Sequence, residues 1–254
     1  MQRYFVRASD VDQQKQSVTI TGEDVGHIVK VMRFSPGDRI ICCDGTGNCY
    51  MTAIQEIRRD QVNCRLMEKI HDDRELPVHV TIAQGLPKGD KMDLIVQKGT
   101  ELGARALIPF TSSRTIVQLD EKKQAKRIER WNKIAKEASE QSHRSIVPEI
   151  SGVLSWKQLL KIADQFDLAL LAFEGERVTT LYSYLQNLKG NLKILIIVGP
   201  EGGFSEEEAA EAGAAGFKSV MLGNRILRTE TAALYALSCI SYQFEQIKFI
   251  VGKN

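Results

Sequence analysis

No apolar run in this sequence approaches the roughly 20 residues that a membrane-spanning helix needs, and its opening, MQRYFVRASD, carries no apolar signal core. The expected location is therefore the cytoplasm, with no membrane partner. Cysteine is scarce and poorly spaced for a metal: Cys42, Cys43, Cys49, Cys64 and Cys239 are five in number and form no C-x-x-C pair. That pattern argues against a disulfide framework and against zinc, so no metal is expected and the cysteines read as buried small residues or inert thiols. Phosphate-cradling motifs are missing too. Neither G-x-G-x-x-G nor G-x-x-x-x-G-K-[ST] occurs, which disfavours a nicotinamide oxidoreductase and a P-loop enzyme. The formal net charge of +2 is too small to announce a polyanionic partner.

What charge imbalance there is clusters. Between Arg114 and Arg144 nine Lys/Arg stand against five Asp/Glu, whereas residues 1 to 72 balance at ten against ten. A basic helix of this kind suits RNA, and it suits a solvated helix face as well.

The clearest signal is LKILIIVGPEGGFS, Leu192 to Ser205. Ile194 to Val198 is a β-branched apolar run that reads as a strand buried on both faces. Gly199, Gly202 and Gly203 then let the backbone approach a bound group closely, and Pro200 cannot extend a ladder. Ser205 with Glu208 forms the S-x-x-E capping box of a helix beginning at Glu206, with Phe204 placed as a staple. A strand, a glycine loop and a helix start mark the usual ligand position in an open α/β sheet. Glu206, Glu207 and Glu208 in the first turn would repel a phosphate, so a neutral or cationic nucleoside is the expected ligand. The same glycines also suit a plain strand-to-helix connection.

Residues 1 to about 75 alternate strand-like pieces with turns: Tyr4 to Val6, Val18 to Ile20, Asp38 to Cys43, Cys49 to Ile57 and Gln61 to Met67. A helix capped by Thr21 or Asp24 is predicted over Glu23 to Val31. This spacing predicts a small closed or half-closed β domain. Arg3, beside Tyr4 and Phe5, and Arg33, in HIVKVMRF, are candidate RNA contacts, with surface ion pairing as the alternative. His27 and His71 lack a partner motif and read as ordinary polar residues.

After the charged linker HDDRELP the pattern changes. Strands near Val78 to Gln84, Ala106 to Phe110, Leu168 to Phe173, Ile194 to Val198 and Ser219 to Leu222 alternate with helices. The helices fall near Lys91 to Leu102, Ala125 to Gln141, Thr179 to Leu188, Glu206 to Ala215 and Thr231 to Gln246. Such alternation predicts an α/β domain, a mostly parallel sheet with helices on both faces. Gln84, Lys88 and Lys91 follow the first of these strands, and Ser112, Ser113 and Arg114 the second. Lys98 and Glu101 have the spacing of a surface ion pair. In the basic helix, Ile128, Trp131, Ile134, Ala135 and Ala138 form an apolar stripe suited to a core, and Arg144 beyond it suits a phosphate or the last helical carbonyls. In GNRILRTETAALYAL, Thr229 is expected to cap the last helix, flanked by Arg228 and Glu230. An arginine there suits an electron-rich heterocycle and a glutamate a shared proton; a local ion pair is the alternative.

The ordered set QGLPKGDKMDLIVQKGTELG, EASEQSHR, IVGPEGGFSEEE and LGNRILRTETAAL resembles the RsmE family of rRNA uridine N3-methyltransferases, of the SPOUT class. HIVKVMRFSPGD resembles that family's PUA-like RNA-binding domain, so the likeness spans nearly the whole chain. It implies a PUA-like β-barrel over residues 1–72 and, over residues 73–254, a SPOUT methyltransferase domain whose chain threads a trefoil knot. It implies S-adenosyl-L-methionine as cofactor, 16S rRNA in the small ribosomal subunit as partner, and a homodimer formed through the knotted domain. By position, the cofactor pocket would be lined by Leu171, Ala172 and Phe173, by Gly199, Pro200, Glu201, Gly202 and Gly203, and by Leu222, Gly223, Ile226, Leu227 and Arg228. Arg228 would stabilise charge on the uracil as N3 loses its proton, with Glu230 as the local base. Arg3, Arg33, Lys88, Lys91, Arg114 and Arg144 are the candidate RNA contacts. Another RNA, tRNA or 23S rRNA, and a nucleotide-binding module without catalysis are the competing readings.

Overall fold

Strict alternation at Val18 and Ile20, Ile40 and Cys42, and Val62 and Cys64 puts one apolar face on each of three strands, and those faces share a core. The computed structural model describes residues 1–71, 74–117 and 119–247. Its chain divides into two units, Met1–Glu75 with Ser139–Val147, and Leu76–Ala138 with Pro148–Asn254. A boundary between Asp72 and Asp73 lies outside the described residues.

The first unit holds β1 (Arg3–Phe5), β2 (Val11–Asp12), β3 (Ser17–Thr21), β4 (Arg39–Cys43), β5 (Cys49–Ile57) and β6 (Gln61–Ile70). They form one sheet in the order β1-β4-β5-β6-β3-β2, with β1 parallel to β4 and the other pairs antiparallel. Tyr4, Val25, Ile28 and Ile54 complete the core. The predicted helix is present as α1 (Glu23–Gly26), which continues in a wider turn through Val31. Its N-cap is Gly22, at φ 76°, and no side chain caps it, so neither Thr21 nor Asp24 has the expected role. His27 accepts or donates a 3.0 Å hydrogen bond with the buried Tyr4 hydroxyl.

Two further sequence expectations fail in this unit. Cys43 and Cys49 lie directly opposite in the β4–β5 ladder and form a disulfide, because the hairpin between them returns the chain in that register. Cys42 and Cys64 are buried thiols, as expected. Arg3 and Arg144 do not face RNA: they are 1% and 3% exposed. The Arg3 guanidinium donates to the Arg144 carbonyl at 2.7 Å, and the Arg144 Nε donates to Glu75 Oε2 at 3.1 Å. Glu75 Oε1 also accepts the Ser145 and Ile146 amides at 3.0 and 3.2 Å. A cation withdrawn from water needs such partners, and the arginines serve the interior of the unit.

The second unit is a parallel sheet of β7 (His79–Gly85), β8 (Ala106–Thr111), β9 (Glu149–Ile150), β10 (Leu154–Ser155), β11 (Leu168–Ala172), β12 (Lys193–Val198) and β13 (Lys218–Val220). The order is β10-β8-β7-β12-β11-β13, with β9 also on β8. Its helices are α2 (Lys91–Glu101), α3 (Glu121–Gln141), α4 (Trp156–Leu160), α5 (Leu181–Leu185), α6 (Glu206–Ala214) and α7 (Thr229–Ser241). Leu195 and Ile197 of β12 pack with Trp156 and Leu159 of α4 and Ala212 of α6, while α7 packs on β7 and β12 and meets α2 and α5. Burial on both faces explains why β12 reads as a continuous apolar run rather than an alternating one. Trp131, Ala135 and Ala138 of α3 are buried, which makes their stripe core, and the Trp131 indole donates to Asp93 Oδ1 at 3.0 Å. Lys98 and Glu101 pair at 2.8 Å. Among the described residues no helix is long and apolar enough to cross a membrane.

Candidate active site

Parallel strands bring their carboxyl ends to one edge of a sheet, and here the loops after β11, β12 and β13 enclose a cavity of about 420 Å³. The first loop supplies Ala172, Phe173, Glu174, Glu176 and Arg177, the second Gly199, Pro200, Glu201, Gly203 and Phe204, and the third Met221 through Arg228.

The glycine loop is held by close approach and by hydrogen bonds. Gly203, at φ 64°, turns the chain so that its amide donates to the Pro200 carbonyl at 2.9 Å. At the end of β7 a Cβ on Gly85 would stand 2.5 Å from Pro200 Cδ, so strand and loop touch through backbone. Gln84, fully buried, donates through Nε2 to Thr229 Oγ1 at 2.7 Å, and the Thr229 hydroxyl donates to the Gly199 carbonyl at 2.6 Å. Thr229 is therefore not the cap expected of it. Arg228 is the N-cap residue of α7, without a capping side chain, and the threonine hydroxyl is spent tying α7 to the glycine loop.

The Ser205–Glu208 capping box forms as expected, with Glu208 N donating to Ser205 Oγ and Ser205 N to Glu208 Oε2. The other Glu208 oxygen accepts the Ser113 amide at 2.8 Å, which fixes the Ser112–Arg114 turn. Phe204 stacks on Phe110, ring centroids 6.3 Å apart, and packs against Trp156.

Most of the expected pocket residues converge. Ala172, Phe173, Gly199, Pro200, Glu201, Gly203, Leu222, Gly223, Ile226, Leu227 and Arg228 line the cavity. Leu171 does not: successive strand residues face opposite ways, and its side chain is sealed in the core with Leu195 and Ile197. Gly202 also faces elsewhere, its Cα under Arg114, whose guanidinium donates to the Gly202 carbonyl at 2.9 Å. Glu174, Glu176, Arg177, Met221, Asn224 and Arg225 are lining residues the sequence reading missed. Their signal was present, since Glu174 to Arg177 directly follow a strand whose end was already marked.

The charged groups at the cavity form a chain. Glu201 Oε1 accepts the Lys88 amide at 3.1 Å and the Lys91 ammonium at 2.7 Å. Burial alone would raise the Glu201 carboxyl, but the Lys91 and Lys88 donors hold it below the usual carboxylate range. The same hydrogen bond to Glu201 raises Lys91 above its ordinary value. Lys91 Nζ also lies 3.7 Å from Glu230 Oε2. Lys91 is thus engaged by two carboxylates. Arg228 is exposed at the cavity lip, while Glu230 is half-buried and does not line the cavity. Of the remaining candidate RNA contacts, Arg33 is exposed at φ 56° in the first unit and Lys88 and Arg114 are exposed in the second. Among the described residues no group of three or more His, Cys, Asp or Glu is arranged to hold a metal.

Comparison with known proteins agrees with this architecture. The chain matches the RNA methyltransferase domain over residues 74–241 and the RNA methyltransferase PUA domain over residues 20–67. It is 46% identical over 254 residues to ribosomal RNA small subunit methyltransferase E of Bacillus subtilis (strain 168), covering 98% of this chain and 99% of that protein. A protein of the same name from Synechocystis is 34% identical over 90% of this chain and 74% of its own length. The crystal structure of ribosomal RNA small subunit methyltransferase E from Neisseria gonorrhoeae bound to S-adenosyl methionine has a TM-score of 0.84 at 30% identity, over 96% of this chain and 98% of that one. With nearly its whole length matched, and with the strand-end cavity in the matched domain, this chain belongs to the ribosomal RNA small subunit methyltransferase E family.

Proposed function

We propose that this protein transfers a methyl group from S-adenosylmethionine to N3 of a uridine in small-subunit (16S) ribosomal RNA. The observation that carries the reading is the cavity itself: three strand-end loops with an apolar wall and an arginine at the lip, in a family with a donor-bound member. Its volume of about 420 Å³ lies in the range for small-molecule sites. Gly203, at positive φ, leaves backbone open to a nucleoside, and Phe173, Leu222 and Leu227 offer apolar surface to an adenine. Glu174 and Glu176 line the same space and offer carboxylates to the hydroxyl and ammonium groups of such a nucleoside.

When bound, the sulfonium supplies an electrophilic methyl group. The chain must then hold a uracil in line with it and help N3 lose its imide proton. Positioning of that kind is worth on the order of 7–11 kcal/mol, and acid–base assistance roughly 10²–10⁴-fold. Arg228, exposed at the positive end of α7, stabilises the developing uracil anion in this reading, and Glu230, two residues on, is the carboxylate assigned to the proton.

Arg33, Lys88 and Arg114 are the phosphate contacts of this reading, and the first unit is its RNA-docking domain, in a protein acting in the cytoplasm where ribosomes assemble. A homodimer belongs to it as well, supported by exposed Leu94, Tyr182, Tyr235 and Tyr242 on and beside the mutually packed α2, α5 and α7. So does the trefoil threading, in which the chain after β13 is tied to the glycine loop by the Thr229–Gly199 bond. The test is to map N3-methyluridine in rRNA from a deletion strain complemented with wild type or Arg228→Ala. The variant should bind donor within about threefold of wild type yet transfer almost no methyl, the pattern of an interaction made only in the transition state. Unchanged turnover refutes the role of Arg228, and unmethylated rRNA from the wild-type complement refutes the function.

A further inference from the structure

Lysine is a poor choice for the first position of a helix, because its charge meets the positive end of the peptide dipoles. α2 nevertheless opens on Lys91, which lines the cavity. Its ammonium lies 2.7 Å from Glu201 Oε1 in the glycine loop and 3.7 Å from Glu230 Oε2 on α7. The Glu230 side chain is only 14% exposed, and its Oε2 is buried without a hydrogen-bond partner. A carboxylate oxygen withdrawn from water is costly unless a cation stands close, and Lys91 supplies one. Lys91 and Arg228 line the cavity, and Lys91 reaches the Glu230 carboxylate beside it.

We propose that Lys91 is a positioning residue for methyl transfer: anchored by Glu201, it holds the Glu230 carboxylate at the cavity wall beside Arg228 and is not a contact for RNA phosphate. The inference rests on the methyl-transfer reading above. One ammonium joins three separate chain segments, the start of α2, the glycine loop and the start of α7. The ammonium is hydrogen-bonded to Glu201 and stands within ion-pair distance of Glu230. A phosphate would have to displace one of two carboxylates already in place.

The test is a double-mutant cycle in the full chain. Lys91→Met, Lys91→Arg, Glu230→Gln and the Lys91→Met/Glu230→Gln double variant are assayed for methyl transfer from labelled S-adenosylmethionine to small-subunit rRNA, with donor Kd measured by calorimetry. Lys91→Met should lower kcat by about tenfold or more, with donor Kd and RNA KM within about threefold of wild type. Lys91→Arg should recover most of that loss, and the double variant should be no slower than Glu230→Gln alone, since the two residues act as a unit. Multiplicative losses in the double variant overturn the proposal. So does a rise in RNA KM at constant kcat, which marks a phosphate contact. Should Lys91→Met melt below the assay temperature, Lys91→Gln takes its place in the same cycle. Wild-type protein that binds donor but methylates no RNA overturns the underlying function, an outcome distinct from either result in the variants.

Discussion

Replacing Gly85 with alanine puts a methyl group where backbone already stands. The new Cβ would lie 2.5 Å from both Cδ and N of Pro200 and 2.9 Å from the Gly199 carbonyl carbon, against roughly 3.5–4 Å for ordinary carbon contact. Neither a proline ring nor a peptide unit can rotate away, so the end of β7 and the glycine loop must separate by about 1 Å, an overpacking cost of about 1–3 kcal/mol. That separation also stretches the bonds to the Gly199 carbonyl from Thr229 and Gln84, 2.6 and 3.3 Å long, at about 1 kcal/mol each. The total of about 3–5 kcal/mol corresponds to a fall in Tm of roughly 6–20 °C for a domain of this size. Because the displaced loop walls the cavity, S-adenosylmethionine should bind at least about tenfold more weakly, a loss of 1.4 kcal/mol or more. Thermal unfolding followed by circular dichroism and calorimetric titration measure the two effects. Gly26→Ala is the control: Gly26 is helical at φ −63° with open space around its Cβ position, and should gain about 0.4–1 kcal/mol. A Gly85→Ala protein with wild-type Tm and donor affinity would refute the contact between strand and loop and the clamp built on it.

Thr229→Val keeps the shape but removes the donor to Gly199 and leaves the Gln84 amide facing a methyl group, so urea unfolding should show a loss of about 1–3 kcal/mol. Glu75→Gln strips the charge from the partner of an arginine that is 3% exposed. Hydrogen exchange should report about 3–5 kcal/mol lost in the first unit, with donor binding in the second unchanged. Asp44 accepts hydrogen bonds from the amides and side chains of Thr46 and Asn48; burial raises its carboxyl, but these donors outweigh burial and hold it below its ordinary value of 3.8. Its stabilisation is present above 3.8 and disappears as the pH falls through the lower folded value. The stability gap between wild type and Asp44→Asn should therefore be constant at neutral pH and close in acid, as read from urea midpoints across the range.

Elements governed by local pattern were legible in the sequence. The five long strands of the parallel sheet, the box at Ser205 and Glu208, and the glycine loop follow from periodicity and from side chains that bond within four residues. The arginine and threonine assignments failed because they depended on residues far apart. Arg3 and Arg144 look like any surface arginine until Glu75 and a carbonyl are brought to them, and nothing within ten positions of Arg3 announces that. Thr229 has the sequence of a cap, but its hydroxyl is claimed by Gly199, thirty positions earlier. Cys43 and Cys49 become a pair only through hairpin register. Leu171 was misplaced by a single step along a strand, enough to exchange cavity for core. The short α4 escaped notice although Ser155 and Gln158 spell the same box as Ser205 and Glu208.

The first unit is discontinuous: Ser139–Val147 complete it after the chain has already entered the second. Ile146 bridges to Thr46, and Arg144 supplies both the carbonyl that receives Arg3 and the guanidinium that receives Glu75. On the ribosome this unit cannot finish as its own strands emerge, because its closing piece is translated only after much of the next unit. A fragment cut at Glu75 would keep the apolar core but leave Arg3 and Glu75 deprived of their counterparts. An excised first unit would therefore need the 139–147 peptide grafted back to regain those partners.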